Sequence, residues 1–260
     1  MRVDERREGR PGSTDTYDGR GGHALMDILD LPRVEVYDSV TSTLDVTHAL
    51  AESGAPAGTL VLAEQQTAGR GRGGRVWTSA AGAGIWLTLL ERPRDPAALE
   101  TLALRVGLRA ARVLDRWTDA RVQLKWPNDL LVRGVKLAGI LVEARWRDTR
   151  LEWAAIGLGV NMMTPRGVPG AALRDGTSRV LVLSELIPAL RAAASASGPL
   201  SEKELAAFAE RDIARGKRCS QPEPGVVNGI DPRGGLIVAG TQGETIHRSG
   251  SLVLEPEEAM

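Results

Sequence analysis

The sequence predicts an α+β protein with a mixed, mainly antiparallel sheet, helices packed on that sheet, and a small β-barrel at the C-terminal end. Three observations support this. Apolar runs of strand length follow one another closely between residues 121 and 161, which leaves no room for crossover helices. A helical apolar stripe occupies 99–117. From about residue 216, short strands alternate with Gly, Pro and Asp turns.

The composition favours a soluble cytoplasmic protein. Lys plus Arg and Asp plus Glu number 33 each, so the chain has no overall basic field for binding nucleic acid by counterion release. Its one cysteine, Cys219, excludes a disulfide framework within the chain, and the three histidines lack the spacing of a zinc site. No apolar run reaches the roughly 20 residues of a membrane span, and the N-terminus has no hydrophobic signal core.

The first 30 residues are rich in Gly, Arg and Asp and predict a disordered tail. A more ordered stretch begins at Met26, which raises the hypothesis that the native chain starts there. We therefore expect a disordered tail at 1–30, a main domain at 31–215 and a small β-barrel domain at 216–260.

The first globular elements alternate between strand and helix patterns. VEVY at 34–37 predicts a strand, and residues 43–53 predict a short helix that Gly54 ends. Buried strands are predicted at 59–64 and 85–90.

A long helix is predicted after Asp95, an N-cap residue followed by proline at the first helical position. Its apolar stripe consists of Leu99, Leu102, Ala103, Val106, Ala110, Val113, Leu114 and Trp117.

Successive strands are then predicted at 121–126, 130–132, 136–146 and 151–162. Ser201 and Glu204 form a capping box that opens a helix to about Arg215. The strands of the small barrel are predicted at 225–231, 234–240, 243–248 and 251–255.

The segment GRGRGGRVW, residues 69–77, is called the Gly/Arg loop here. Its glycines, Gly69, Gly71, Gly73 and Gly74, allow the backbone to approach a ligand closely. Arg70, Arg72 and Arg75 supply planar donors suited to carboxylate and phosphate, and Trp77 could stack on a flat base. A mobile surface loop that binds RNA is the alternative, but a predicted strand on each side anchors the loop and disfavours it.

Other polar residues cluster at strand ends. Lys125, Asn128 and Asp129 surround a predicted tight turn, and Lys136 leads an apolar strand. Asn161 follows two glycines in GLGVN. Taken singly, each of these residues is also compatible with a purely structural role in an ordinary turn or at a solvated strand end.

In this order, GRGRGGRVW, LKWPNDL, KLAGILVE and GLGVN closely resemble the biotin protein ligases, also called biotin–[acetyl-CoA-carboxylase] ligases. The resemblance runs from about Val34 to the C-terminus, where GIDPRGGL matches the small barrel of that family. It implies a catalytic domain of sheet and helices followed by a Src-homology-3-like β-barrel.

The resemblance also implies a reaction. Biotin and ATP, with Mg²⁺, would give biotinyl-5′-AMP and pyrophosphate, and the biotinyl group would then pass to a lysine of a biotin carboxyl carrier protein or domain. Some members carry an N-terminal DNA-binding domain, but only about 30 residues precede the predicted main domain. We therefore expect no specific DNA binding; a homodimer is possible.

The resemblance implies which residues form the active site, because they match the positions of the family's motifs. Arg72 and Lys136 would neutralise the biotin carboxylate and the α-phosphate, and Lys125 would steady an oxyanion. Asp129 would hold Mg²⁺ or orient Lys125. The implied biotin-binding residues are Ser42, Thr43, Gln66, Gly69, Arg70, Arg72 and Lys136. The implied ATP- and adenylate-binding residues are Arg72, Arg75, Trp77, Asn128, Lys136 and Asn161.

The chain departs from the family pattern at three places. The family usually reads D-S-T-N where this chain reads Thr41-Ser42-Thr43-Leu44, which puts the hydrogen bonds of the first helical turn in doubt. Gly73 replaces a common arginine. Gln65 and Gln66 compete for the position facing biotin, and the offset to Gly69 favours Gln66.

Two other interpretations of the sequence remain open. A lipoate or octanoate ligase would share the fold and the acyl-adenylate chemistry, although its loop is less rich in arginine. The second alternative is not an enzyme but a module that binds biotin or nucleic acid without catalysis.

Overall fold

The computed structural model describes residues 15–256 of the chain. The strands of the main sheet are β1 (Arg33–Val40), β2 (Thr59–Gln66), β3 (Gly84–Glu91), β4 (Gln123–Lys125), β5 (Asp129–Val132), β6 (Val135–Arg147) and β7 (Arg150–Asn161). Their order across the sheet is β1-β2-β3-β7-β6-β5-β4. Only β1 and β2 pair in parallel, and every other neighbouring pair of this sheet is antiparallel, which confirms the predicted mixed, mainly antiparallel sheet.

The described residues form five α-helices, of which the first four pack on this sheet and the fifth packs against α3: α1 (Gly22–Leu29), α2 (Thr43–Glu52), α3 (Leu99–Leu114), α4 (Arg179–Ala194) and α5 (Glu202–Ala209). The strands alternate their side chains between two cores. Leu60 and Leu62 of β2 belong to the large core under α3 and α4, whereas Val61 belongs to a smaller core with α2. Within residues 15–256, none of these helices has both the length and the apolar character needed to span a bilayer.

Two helix starts follow the predicted capping chemistry. The Asp95 carboxylate accepts a hydrogen bond of 3.0 Å from the backbone N–H of Ala97, ahead of α3. Ser201 and Glu204 form the reciprocal capping box of α5. However, α5 ends at Ala209 and not near Arg215, because Arg211 and Ile213 leave the helix and bond through their backbone to Leu124 of β4.

Helix α4 was not predicted from the sequence. Its buried positions share one face, but apolar residues such as Leu181 and Pro188 also occupy the exposed face, so the sequence shows little polar contrast around the helix. Helix α4 forms because it packs between α3, α1 and β3.

The predicted disorder of residues 1–30 is wrong for residues 15–30, while residues 1–14 lie outside the described range. Tyr17 is fully buried, and Leu25 and Leu29 of α1 join the large core. The Arg179 guanidinium lies 4.0 Å from the centre of the Tyr17 ring and is also bound by Glu64 of β2. The order of this polar segment comes from the tertiary contacts that it makes.

The C-terminal sheet contains β8 (Arg218–Gln221), β9 (Gly225–Ile230), β10 (Leu236–Gly240), β11 (Gly243–His247) and β12 (Val253–Leu254). All its pairs are antiparallel, in the order β11-β10-β9-β8-β12, which agrees with the expected Src-homology-3-like unit. Its start at Arg218 supports the proposed domain boundary near Gly216. The indole N–H of Trp126, after β4, donates to the carbonyl of Gly234 at 2.9 Å and joins this sheet to the main domain.

A buried carboxylate lies at this junction. One oxygen of Asp212 accepts a hydrogen bond from the backbone N–H of Ala214 at 2.9 Å, and the other is buried without a partner among residues 15–256. Burial raises the pKa of Asp212 from 3.8 to about 6, although the Ala214 hydrogen bond and the charge of Arg215 oppose the shift. The fold therefore favours the protonated form.

We expect Asp212→Asn to stabilise the protein at pH 7.5 and not at pH 4. Because the folded pKa is raised, the favourable contribution is fully present below pH 3.8 and is lost as the pH rises through about 6. The neutral amide avoids that loss, so the free energy of unfolding at pH 7.5 should rise by on the order of 2 kcal/mol. Urea unfolding at both pH values, with the exposed Asp119→Asn as control, measures this. An equal effect of Asp212→Asn at both pH values would contradict it.

Candidate active site

A cleft of about 120 Å³ lies between the start of α2, the Gly/Arg loop and strands β6 and β7. Segments distant in sequence meet there, because β2 and β7 both lie next to β3 and place α2 and the loop over the middle of the sheet. The predicted site residues that line the cleft are Ser42, Thr43, Gln66, Arg70, Arg72, Arg75, Trp77, Asn128, Asp129 and Lys136.

One wall of the cleft is polar and uncharged, with Gln66 at its centre. The Gln66 side-chain oxygen accepts hydrogen bonds from the backbone N–H of Thr43 at 2.9 Å and from the Thr43 hydroxyl at 3.2 Å. Its amide nitrogen donates to the Ser79 hydroxyl at 2.8 Å. The neighbouring Gln65 instead donates to Ser39, so Gln66 is the glutamine that lines the cleft.

The unusual Leu44 does not weaken the first turn of α2. Ser42 caps this helix and accepts a hydrogen bond from the backbone N–H of Leu44 at 3.3 Å. The Leu44 side chain is buried and lies directly over Gly157 of β7. The residue in place of the family's asparagine therefore closes this part of the cleft with an apolar surface.

The Gly/Arg loop is a folded hairpin. The backbone N–H of Trp77 donates to the carbonyl of Gly69 at 2.8 Å, and that of Gly71 donates to the carbonyl of Arg75 at 2.7 Å. The tip turns at Gly73 and Gly74, with φ values of 64° and 75° that favour glycine. A Cβ atom on Gly69 would lie 2.4 Å from the Trp77 carbonyl oxygen, so glycine is required at the base of the hairpin.

The three arginines of the loop have different surroundings. Arg70 is paired with two carboxylates, Asp45 and Glu143, and the Arg75 guanidinium donates to the Ser251 hydroxyl at 2.7 Å. The guanidinium of Arg72 makes no hydrogen bond or ion pair with any residue in 15–256. Burial lowers the pKa of Arg72, Asp129 opposes that shift and Arg75 adds to it. Arg72 is thus the loop cation with its donors free for an anion.

The indole of Trp77 lies on a floor of glycines. Gly139 of β6 and Gly159 of β7 are paired in register. A Cβ atom on either would lie 2.9 Å or less from the Trp77 ring. The Lys136 ammonium lies 5.0 Å from the centre of this ring, and the indole N–H is buried with no partner among residues 15–256. Trp77 therefore joins the loop to the sheet at the cationic end of the cleft.

We expect Gly159→Ala to reduce the proposed activity about tenfold without unfolding the protein. The new methyl group would lie 2.6 Å from the Trp77 indole nitrogen, so the half-buried ring must move away from the floor and shift the loop with it. Trp fluorescence together with steady-state kinetics measures this. Gly21→Ala, whose new methyl group would meet no neighbouring atom within 4 Å and whose φ of −74° suits alanine, is the control for a glycine substitution. An unchanged activity in Gly159→Ala would contradict the expectation.

The cationic end of the cleft is centred on one ion pair. The Lys136 ammonium lies 2.7 Å from a carboxylate oxygen of Asp129. Lys125 is the register partner of Asp129 across the β4–β5 turn. Burial lowers the pKa of Lys125, Asp129 opposes the shift, and Lys136 and Arg75 add to it. A single carboxylate thus lies among four cations, and the net charge of this end favours an anion.

Comparison with known proteins identifies the family. Residues 36–161 match the sequence model of the Biotin/lipoate A/B protein ligase family. The biotin–[acetyl-CoA-carboxylase] ligase of Paracoccus denitrificans is 32% identical over 209 residues, which cover 72% of this chain and 86% of that protein. The chain belongs to the biotin protein ligase family.

Other relatives cover different shares of the chain. The bifunctional ligase/repressor BirA of Bacillus subtilis is 39% identical over 127 residues, which are 48% of this chain and 39% of that protein. The chain therefore spans about two fifths of that relative. The biotin protein ligase from Aquifex aeolicus, solved in complex with biotin and ATP, has a TM-score of 0.69 and 23% identity, covers 86% of this chain and 99% of its own, and shows the same fold.

Three of the residues expected at the site of this ligase-family chain do not line the cleft. Asn161 is buried, and its amide donates to the carbonyl of Ala171 at 3.0 Å, which fixes the segment after β7. Gly69 lies behind Gln66, and Lys125 lies beside the cleft. Asn128 does line the cleft, but its amide nitrogen donates to the carbonyl of Ile140 at 2.6 Å. The ligand roles of these four residues stay predictions.

Several residues of the ligase-family site were not predicted. Ser79 and Thr88 orient Gln66 and Thr43, and Thr88 stands as the one polar residue in the apolar strand IWLTLL, a signal that could have been noticed. Asp45 and Glu143 bind Arg70. Nothing in the sequence singles out those two carboxylates, because they contact the loop only in the folded chain.

Proposed function

We propose that this chain is an ATP-dependent biotin ligase. It forms biotinyl-5′-AMP and pyrophosphate and then transfers the biotinyl group to a lysine of a biotin carboxyl carrier protein or domain of an acyl-CoA carboxylase. The observation that carries the proposal is the division of the cleft into an uncharged hydrogen-bonding wall and a cationic end, joined by an apolar floor. A bicyclic urea with a carboxylate tail has the same division.

The polar wall suits the ureido ring of biotin. The ring offers two N–H donors and one carbonyl acceptor, all neutral. Gln66, Thr43 and Ser42 offer an amide and two hydroxyl groups that donate and accept without charge. The hydrogen bonds among these groups hold them in place before ligand arrives, so little order is lost on binding.

The cationic end suits adenylate formation. A carboxylate oxygen of biotin attacks the α-phosphorus of ATP, and the bond to the β-phosphate oxygen breaks to release pyrophosphate. Two anions must therefore approach each other. Arg72 and Lys136 reduce their repulsion and stabilise the charge of the in-line transition state. Arg72 has free donors for this task, and Lys136 is held in place by Asp129.

Mg²⁺ would accompany ATP and neutralise charge on its phosphates. Asp129 is the single carboxylate that lines the cleft, and residues 15–256 contain no group of three His, Cys, Asp or Glu side chains that could hold a metal. This fits an ion bound mainly by phosphate oxygens and water with one carboxylate from the protein.

In the second step, the neutral amine of the acceptor lysine attacks the acyl carbon and AMP leaves. Lys125 lies beside the cleft, where it can stabilise the oxyanion of this step. The Gly/Arg loop shields the anhydride from water until the carrier domain arrives.

The remaining partner and location assignments belong to the same proposal. A cytoplasmic location is supported by the single, buried Cys219 and by the balanced charge of the chain. Specific DNA binding is not expected, because two of the three arginines in the loop are bound within the protein. A homodimer is a further possibility that sedimentation can test.

Pyrophosphate exchange into ATP tests the proposal, with biotin, lipoate and octanoate assayed side by side. Exchange with biotin alone is the expected result. Exchange with lipoate or octanoate alone would keep the chemistry but replace the substrate. A folded sample that binds biotin without exchange would show that the cleft is a binding site without catalytic activity.

A further inference from the structure

The arginine at the start of the Gly/Arg loop joins three separate elements. One guanidinium nitrogen of Arg70 lies 2.5 Å from a carboxylate oxygen of Asp45 on α2. The other lies 3.3 Å from each carboxylate oxygen of Glu143 on β6. The backbone of Arg70 also pairs with Val76 across the loop hairpin. Arg70 therefore ties the base of the hairpin to the helix and the strand on which the cleft is built.

The carboxylate on β6 is itself held in place. A second-turn histidine of α2, His48, bonds through Nε2 to Glu143 at 2.9 Å. The indole N–H of Trp153 on β7 donates to Nδ1 of His48 at 3.0 Å. Because an indole nitrogen only donates, Nδ1 is the acceptor and Nε2 carries the proton toward Glu143. Trp153 and His48 thereby orient Glu143 toward Arg70.

The contrast with the second arginine of the loop is sharp. The guanidinium of Arg72 has no partner among residues 15–256, whereas that of Arg70 is bound by two carboxylates. An arginine whose charge is already neutralised has little left to attract a substrate anion. We propose that Arg70 is a positioning residue that holds the Gly/Arg loop closed over the cleft through Asp45 and Glu143, and that it does not bind the substrate's carboxylate or phosphate. A closed loop would also slow the dissociation of biotinyl-5′-AMP, and this effect rests on the ligase function proposed above.

The strength of this contact suits a loop that must open and close. The Arg70 and Asp45 side chains are 38% and 46% exposed, and exposed ion pairs are weak. Two such pairs change the equilibrium between the closed and open loop by roughly thirtyfold or less. The loop can therefore still open to admit substrates and the carrier lysine.

Substitutions of the two carboxylates separate a positioning role from a ligand role. If Arg70 holds the loop closed, Asp45→Asn and Glu143→Gln must act in the same direction as Arg70→Ala. Each should speed dissociation of biotinyl-5′-AMP about three- to tenfold and raise the KM for biotin, with little change in kcat. If Arg70 instead binds the substrate anion, both carboxylate variants free its charge, and ligand retention should stay the same or improve.

A double-mutant cycle adds a second criterion. Arg70→Ala combined with Asp45→Asn should speed dissociation no more than Arg70→Ala alone, because the loss of Arg70 already removes the contact that Asp45 makes. Full additivity of Arg70→Ala and Asp45→Asn would overturn the proposal. Arg147→Ala is the matched control, since it removes an exposed ion pair with Glu152 at the far end of the same β6–β7 hairpin.

Hydrogen exchange of residues 69–77 in the ligand-free protein tests the contact independently of catalysis. Protection should fall in Arg70→Ala, Asp45→Asn and Glu143→Gln and stay unchanged in Arg147→Ala. If the wild-type protein shows no pyrophosphate exchange with any acid, the ligase proposal fails while this measurement still decides the role of Arg70. Unchanged protection in all three variants would overturn it.

Discussion

Replacing Lys136 by alanine should reduce biotin-dependent pyrophosphate exchange a hundredfold or more, while the protein remains folded. The Lys136 ammonium is 38% exposed, so its removal leaves no buried cavity. Its expected role is to stabilise charge that develops on the α-phosphate, and an electrostatic contact of this kind contributes about 3 kcal/mol to the transition state. The substitution also leaves the Asp129 carboxylate without its partner at 2.7 Å, which adds repulsion toward the phosphate.

The measurement is exchange at saturating biotin and ATP, together with a urea unfolding curve. The unfolding midpoint should barely move, because a partly exposed ion pair contributes at most about 1 kcal/mol. Lys203→Ala, on the exposed side of α5, is the matched control and should keep full activity. Normal exchange in Lys136→Ala would remove this residue from the mechanism.

Replacing Arg72 by glycine should release the acyl-adenylate early. Arg72 is the unpaired cation of the loop, and charge-assisted hydrogen bonds to an anion contribute about 1.5–3 kcal/mol. Biotinyl-5′-AMP should therefore dissociate roughly tenfold to a hundredfold faster and react in solution with lysines of bystander proteins. Dissociation is followed by rapid dilution of the preformed complex, and labelling is followed on a mixture of carrier and bystander proteins.

The exposed Arg94→Gly, outside the cleft, controls for the loss of one arginine and should label only the carrier. Carrier-specific labelling by Arg72→Gly, with unchanged retention of the adenylate, would show that Arg72 does not hold the intermediate. This variant also differs from Arg70→Ala in its expected pattern. Loss of Arg72 should slow adenylate formation, whereas loss of Arg70 should act mainly on retention and on the KM for biotin.

Local patterns were sufficient to predict much of the fold. Asp95 with Pro96 and the Ser201–Glu204 capping box gave correct helix starts, because capping depends on neighbours within four residues. Apolar runs of strand length gave the positions of the long strands β6 and β7. Helix α4 and the ordered segment 15–30 were not predicted, because both depend on partners far away in the sequence, such as Tyr17 with Arg179.

The site divides in the same way. Residue identity and spacing along the chain were enough to predict the family, the Gly/Arg loop, the chemical types in the cleft and the choice of Gln66 over Gln65. The pairing of the charges, in contrast, follows from the folded arrangement. It placed Arg70 between Asp45 and Glu143, joined Lys136 to Asp129, and left Arg72 without a partner. Ion pairing depends on distances of a few ångströms between residues far apart in sequence, and those distances exist only after the sheet has formed.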